Sequence, residues 1–301
     1  MTGADLALIG IAALWGASFS VTASLLEQVP PHSLLALRFA LALAAFAALR
    51  ARALLRADAA TWGAGALLGA FLYAGFAFQT VGLAYTTPAR SAFLTASYVL
   101  FVPVLGALFL RERVGAPVAA GAVVATAGLA LLLGPEGTPE VRRGDVLTIL
   151  CALGFALHVL GLGRVAARFR VDALTATQLV TVTILAGIGS VALETPRLAL
   201  GARAWAELAY LALGCTTLAY LVQTAAQRSV PAARAALIFA LEPVFAALVS
   251  VGLGRERLDA TEIAGGALVV IGVAIGEALR APTAAARPAA EPGVSRRAVL
   301  S

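Results

Sequence analysis

The chain has 301 residues, 61% of them hydrophobic and only 13% charged, with a mean hydropathy of +0.93; a soluble globular domain carries about 25% charged residues. That balance excludes an ordinary soluble core and points to an integral membrane protein. The net charge of +6 would suit a nucleic-acid binder, but all 22 basic residues are arginines scattered among short loops, without a basic helix or interleaved aromatics, so no nucleic-acid partner is expected.

In chain order, apolar runs bounded by Pro, Gly and charge predict helices at about 5–26, 34–49, 62–82, 91–110, 115–133, 146–163, 173–193, 205–226, 232–254 and 260–279. Each run is of the length that crosses a hydrocarbon core roughly 30 Å thick at about 1.5 Å per residue. No strand-like alternation recurs at the spacing a membrane barrel requires. The opening "MTGADLALIG" lacks the basic region of a cleaved signal peptide and leads into further spans, so it reads as a retained first helix. Residues 281–301, rich in Pro, Ala and Arg, read as a disordered cytoplasmic tail. Cys151 and Cys215 lie inside apolar runs without a CxxC or histidine-rich context and read as small core residues.

Arginine sets the orientation, because cytoplasmic loops are enriched in basic residues. With the amino terminus inside, 14 arginines fall on inner segments and 7 on outer ones, and Arg38 lies within a span. The expected topology is therefore ten transmembrane helices with both termini cytoplasmic.

An internal repeat emerges when each residue is set against the one 144 positions later. Gln79 and Thr80 then meet Gln223 and Thr224, Arg90 meets Arg234, the "RER" at 111–113 meets the "RER" at 255–257, and Gly121 and Gly128 meet Gly265 and Gly272. Nearer the amino terminus an offset of 140 sets Asp5 on Asp145, Trp15 on Phe155, Ser18 on His158 and Arg38 on Gln178. The predicted organisation is thus a first five-helix repeat over 1–134 and a second over 135–280. Five is odd, so the second repeat enters the membrane from the opposite side. The expected fold is all-α, two inverted-topology repeats, an arrangement that places substrate sites between repeats and moves by rocking one against the other.

Polar side chains in hydrocarbon are costly and face the bundle interior or a watery cavity, so the few mid-span polar residues are the candidate transport site. They are Arg38, Gln79, Tyr98, His158, Gln178, Gln223 and Glu242, with Ser18 set opposite His158 by the repeat. For the glutamines the alternative is simple helix cement, an interhelical bond worth on the order of 0.6 kcal/mol. Arg38 either snorkels to the interface or turns inward. Trp15 is too deep for the interfacial aromatic belt and serves either packing or substrate stacking. His158 has only His32 for company, so no metal site is expected, although its imidazole could exchange a proton near neutral pH. Small residues spaced four apart, Ala12, Gly16 and Ser20, Gly65 and Gly69, Gly272 and Gly276, read as packing seams.

Within "FALEPVFAAL", residues 239–248, Pro243 cannot donate to the carbonyl of Phe239 and is a candidate hinge. Glu242 must be protonated, watered or paired, because a carboxylate only accepts hydrogen bonds. Arg38 lies at a depth differing by roughly 6 to 9 Å, about an arginine's reach, and is the candidate partner. The equivalent stretch of the first repeat, "TASYVLFVPV", has no acid and moves its proline to Pro103, so a hinge at this position should belong to the second repeat alone.

The stretches "LWGASF", "LRFALA", "GLAYTTPARSAFL" and "LEPVFAAL" with "GRERL" together resemble the EamA-type drug/metabolite transporters over about residues 5–280. The resemblance implies a ten-helix inner-membrane carrier with a central cavity, typically an exporter of amino acids, metabolites or drug-like compounds, and it maps family positions onto Trp15, Arg38, Glu242 and Pro243. The expected partners are a small-molecule substrate and the lipid bilayer; protons and a second copy of the chain are left open, and no cofactor is expected. A membrane-embedded enzyme acting on lipid would need clustered catalytic groups, and no HExxH, GxSxG or carboxylate cluster is present. A channel would want a carbonyl filter or a charged ring rather than single polar groups.

Overall fold

A computed structural model describes residues 1–50, 52–111, 114–133, 139–196, 200–252 and 260–278. The predicted tail at 281–301, the second "RER", Glu112 and Arg113 of the first, and the junction at 134–138 lie outside the described residues. Within them the chain is helical throughout: α1 (Gly3–Leu26), α2 (Pro31–Arg50), α3 (Arg52–Leu55), α4 (Ala59–Leu83), α5 (Pro88–Ala96), α6 (Tyr98–Leu110), α7 (Ala116–Leu133), α8 (Pro139–Val165), α9 (Val171–Leu193), α10 (Ala202–Ala209), a π-helical segment (Tyr210–Leu218), α11 (Ala219–Ala226), α12 (Ala232–Phe239), α13 (Glu242–Gly252) and α14 (Ala260–Ala278).

Short-range chemistry fixes where these helices start. Thr2 accepts from the Asp5 N–H while the Asp5 carboxylate accepts from the Thr2 N–H, a reciprocal capping box that opens α1. Asp58 accepts from the Thr61 N–H at 2.8 Å to cap α4, and the Thr61 hydroxyl donated to the same carboxylate holds it below its ordinary acidity range. Thr87 caps α5, with Pro88 in the first turn, where its missing N–H costs nothing. The start of α2 is closed from a distance: Glu194, just past α9, accepts from the N–H groups of His32 and Ser33 at 2.9 and 2.8 Å. A carboxylate is favoured at that positive helix end.

Among the described residues eight helical stretches are long and apolar enough to cross a membrane, and the protein is a multi-pass membrane protein. Two of the ten predicted spans are represented by shorter apolar helices, Ala116–Leu131 and Ile263–Gly276. Over their whole ranges α7 and α14 run 18 and 19 residues, about 27–28 Å at the helical rise. They lie against each other, α7 on α14. Gly121 and Gly272 make this seam, since a β-carbon on Gly272 would stand 2.5 Å from the Gly121 carbonyl oxygen, and one on Gly128 would stand 2.5 Å from that of Gly265. Elsewhere α4 packs on α8 and α9, α2 on α9, and α1 on α13 and α11. Gly16 lets α1 approach so closely that a β-carbon there would be 2.6 Å from the Glu242 carbonyl oxygen.

Two breaks interrupt long helices near their middles. α5 gives way to α6 at Ser97, whose N–H donates to Leu94, and α12 gives way to α13 at Ala240 and Leu241, which donate to Leu237 and Ile238. These three-residue steps are tight 3₁₀-type turns. They fall at equivalent places under the 144-residue offset, so the interruption belongs to both stretches rather than to the second alone. The prolines do not mark it symmetrically: Pro243 stands in the first turn of α13, just after its break, whereas Pro103 lies inside α6, six residues beyond Ser97.

Candidate functional site

Where α1, α2, α4, α6, α8, α11, α12 and α13 converge, they enclose a cavity. Ten of the lining side chains come as pairs related by the two sequence offsets: Trp15 and Phe155, Ser18 and His158, Phe76 and Tyr220, Gln79 and Gln223, Tyr98 and Glu242. Arg38, Val159 and Phe239 complete the wall. The volume open to water centres is about 40 Å³, room for a few waters. Eight of the nine predicted site residues are therefore brought together. Gln178 stands behind the wall and acts through His158.

The aromatic side chains form a connected box. Trp15 lies 5.6 Å from Tyr220 and 5.1 Å from Phe239 between ring centroids, and Phe76 stands edge-on to Phe155 at 5.2 Å. These separations are those of favourable tilted and edge-to-face pairs. Trp15 also donates its indole N–H to the Cys215 carbonyl at 2.8 Å, so the ring has a fixed orientation.

Arg38 points inward and is 4% exposed, which removes the snorkelling alternative. Its Nε donates to Thr216 Oγ1 at 2.8 Å, its Nη2 donates to the Cys215 carbonyl at 3.4 Å, and its guanidinium lies 4.6 Å from the Phe76 ring centroid. The π-helical segment supplies these acceptors: Thr216 Oγ1 itself donates five residues back to Leu211, and the Cys215 carbonyl serves both Trp15 and Arg38. π-helical turns recur at functional sites. The expected pairing of Arg38 with Glu242 is not formed: the two guanidinium hydrogen bonds run to Thr216 and to the Cys215 carbonyl instead.

Glu242 is 6% exposed and, among the described residues, its carboxylate has no hydrogen-bond or ion-pair partner. Gln223 donates to Gln227 at 2.9 Å and leaves its own Oε1 unpartnered. Two acceptors without donors therefore belong to the same wall. Gln79 instead donates to Thr95 at 3.2 Å. The amide nitrogen of Gln178 donates to the Leu174 carbonyl, so its Oε1 faces His158, and the imidazole Nε2 donates across 2.8 Å. That fixes the tautomer, with the proton on Nε2.

Phe76, Phe155, Val159, Tyr220 and Phe239 also line the cavity, and no mid-span polar pattern singles them out. The repeat held a signal for one pair, because the same 144-residue offset that joins Gln79 to Gln223 carries Phe76 onto Tyr220. No pattern in the sequence singles out Thr216, one threonine among several in an apolar run.

The sequence profile of the EamA-like transporter family matches residues 2–134 and again 142–275. An uncharacterized transporter of Archaeoglobus fulgidus is 28% identical over 272 residues, covering 90% of this chain and 85% of its own length. The uncharacterized transporter YyaM of Bacillus subtilis is 25% identical over 289 residues, covering 88% and 90%. A crystal structure at 24% identity superposes with a TM-score of 0.76 over 92% of this chain and 96% of its own, a likeness of fold.

Proposed function

Since this chain belongs to the EamA-like transporter family, and is thus a membrane transporter, we propose that it is a ten-span carrier of the inner (plasma) membrane. It exports a small amine-bearing organic molecule, an amino acid or a drug-like amine, by alternating access.

The observation that carries the substrate reading is the pair of unpartnered acceptors, the Glu242 carboxylate and Gln223 Oε1, in an aromatic box. A buried acceptor without a donor costs about 1–3 kcal/mol, and more when charged. A protonated amine supplies the missing donors, and ring faces attract such a cation. Arg38 on the same wall accommodates a carboxylate where the substrate has one.

Several features support two inverted halves, 1–134 and 135–280. The cavity wall is built from offset-related pairs, the helix breaks are equivalent, and the family profile matches twice. The glycine seam has the crossed pattern of a two-fold axis: Gly121 meets Gly272 while Gly128 meets Gly265. The arginine excess supports a topology with both termini in the cytoplasm.

Purified protein in liposomes tests the reading. Labelled amino acids and cationic dyes are expected to exchange in counterflow and organic anions lacking nitrogen are not. Glu242→Gln should slow amine exchange by about tenfold or more, the loss of a charge-assisted hydrogen bond. Wild-type exchange of amines by that variant, or exchange of the anions alone, overturns it. Protons are the proposed coupling ion, with Glu242 as carrier, so an imposed pH gradient should drive accumulation above equilibrium.

A further inference from the structure

Two ion pairs outside the cavity occupy offset-related positions. At one end Arg234, in the first turn of α12, donates to Asp5 of α1 at 2.7 Å. At the other, Arg90, in the first turn of α5, donates to Asp145 of α8 through Nε and Nη2 at 2.8 and 2.7 Å. Arg90 lies 144 residues before Arg234, and Asp145 lies 140 after Asp5. Each pair therefore joins one stretch of the chain to the other, an arginine from one with an aspartate from its counterpart. Asp5 precedes Ser18, and Asp145 precedes His158, by the same thirteen residues. At the helical rise, each pair is removed from the cavity by about 20 Å along its helix. The first pair is buried, with side chains 6% and 0% exposed, and the second is partly exposed, with 19% on each.

We infer that these ion pairs are two latches of the transport cycle, Asp5–Arg234 closing the end of the bundle where α1 begins and Arg90–Asp145 closing the end where α8 begins, each broken when the cavity opens on its own side. The inference rests on the alternating-access reading and adds the residues that hold each end shut. A carboxylate–guanidinium pair suits that task, since its geometry is specific and bidentate pairing is directional, yet water entering as the end opens resolvates both partners. A pair that served only to stabilise the fold would carry no preference for one end. The α1-end pair is the more deeply buried of the two in this structure.

A cysteine placed at Ser18, in the cavity wall, reports which end is open, because Cys151 and Cys215 are fully buried; the protein without the Ser18→Cys change is the blank. Liposomes are treated with a membrane-impermeant maleimide on one face at a time. Asp145→Asn is expected to raise labelling from the α8-start face, and Asp5→Asn from the α1-start face, each by about tenfold over the parent and each with a fall at the opposite face. Asp5 also caps α1, so Arg234→Gln tests the same latch if Asp5→Asn does not elute as a monodisperse protein. Equal changes at both faces, or none, in variants whose parent labels from both faces overturn the latches and leave the carrier intact. Labelling from one and the same face in every protein overturns alternating access and the latches together.

Discussion

At the scale of single residues, the site is organised by which polar groups are satisfied by the protein and which are left for something else. Arg38 is oriented by Thr216 and the Cys215 carbonyl, whereas among the described residues the Glu242 carboxylate and Gln223 Oε1 have no partner. Thr216→Val keeps the shape and removes the acceptor of the Arg38 Nε, and it is expected to cost about 1.5–3 kcal/mol, the range for a hydrogen bond to a charged group. Thermal unfolding in detergent measures the loss, and Thr216→Ser should recover it. Asp58 gives a pH dependence: its acidity is enhanced in the fold by Thr61, so the α4 cap is intact above the ordinary carboxylate range and is lost as pH falls through the lowered value. Faster amide exchange at Thr61 in acid reads that loss. Arg38 and Glu242 were legible from sequence because a charge in an apolar run is conspicuous. Their separate partnering was not, since it depends on a π-helical turn in a helix 170 and more residues from Arg38, and a local pattern carries no information about that contact.

At the scale of helices, the apolar runs are plain in the sequence, whereas what interrupts them is only partly so. Proline was the only local signal available for a break, and it points to Pro103 and Pro243. The chain tightens at Ala240–Leu241, directly before Pro243, whose missing N–H leaves the Phe239 carbonyl without its helical donor, and at Ser97, six residues ahead of Pro103. Glycine was the better guide, because close approach leaves no room for any other residue. Gly121→Val should force α7 from α14 and destabilise by about 1–3 kcal/mol, as overpacking does. Gly266→Ala, on the same α14 but with no atom within 4 Å of the added methyl, should leave the melting temperature unchanged or raise it. The two melting curves are the check.

For the whole molecule, the repeat legible in the sequence does not make two self-contained bodies. The main helix contacts, α4 with α8 and α9, α2 with α9, α1 with α13, and α7 with α14, all run between residues 1–134 and 139–278. Neither stretch encloses the cavity or completes its own packing. Residues 1–134 produced alone are therefore expected to aggregate in detergent, and co-production with 135–301 should restore a monodisperse complex, as size-exclusion chromatography would show. The offsets made this architecture readable in outline, whereas the interleaving was not, because a sequence repeat records ancestry and not which copy a helix leans on. The reciprocal cap at the start of α1 carries a practical consequence. The Thr2 N–H, the Thr2 hydroxyl and Arg234 all converge on one oxygen of Asp5. Trimming of Met1 would turn that Thr2 amide into an ammonium and place a second cation on the carboxylate, and an affinity tag at the amino end would crowd the same oxygen. The state of the first two residues is thus a chemical variable of preparation, to be fixed by intact-mass measurement before any two samples are compared.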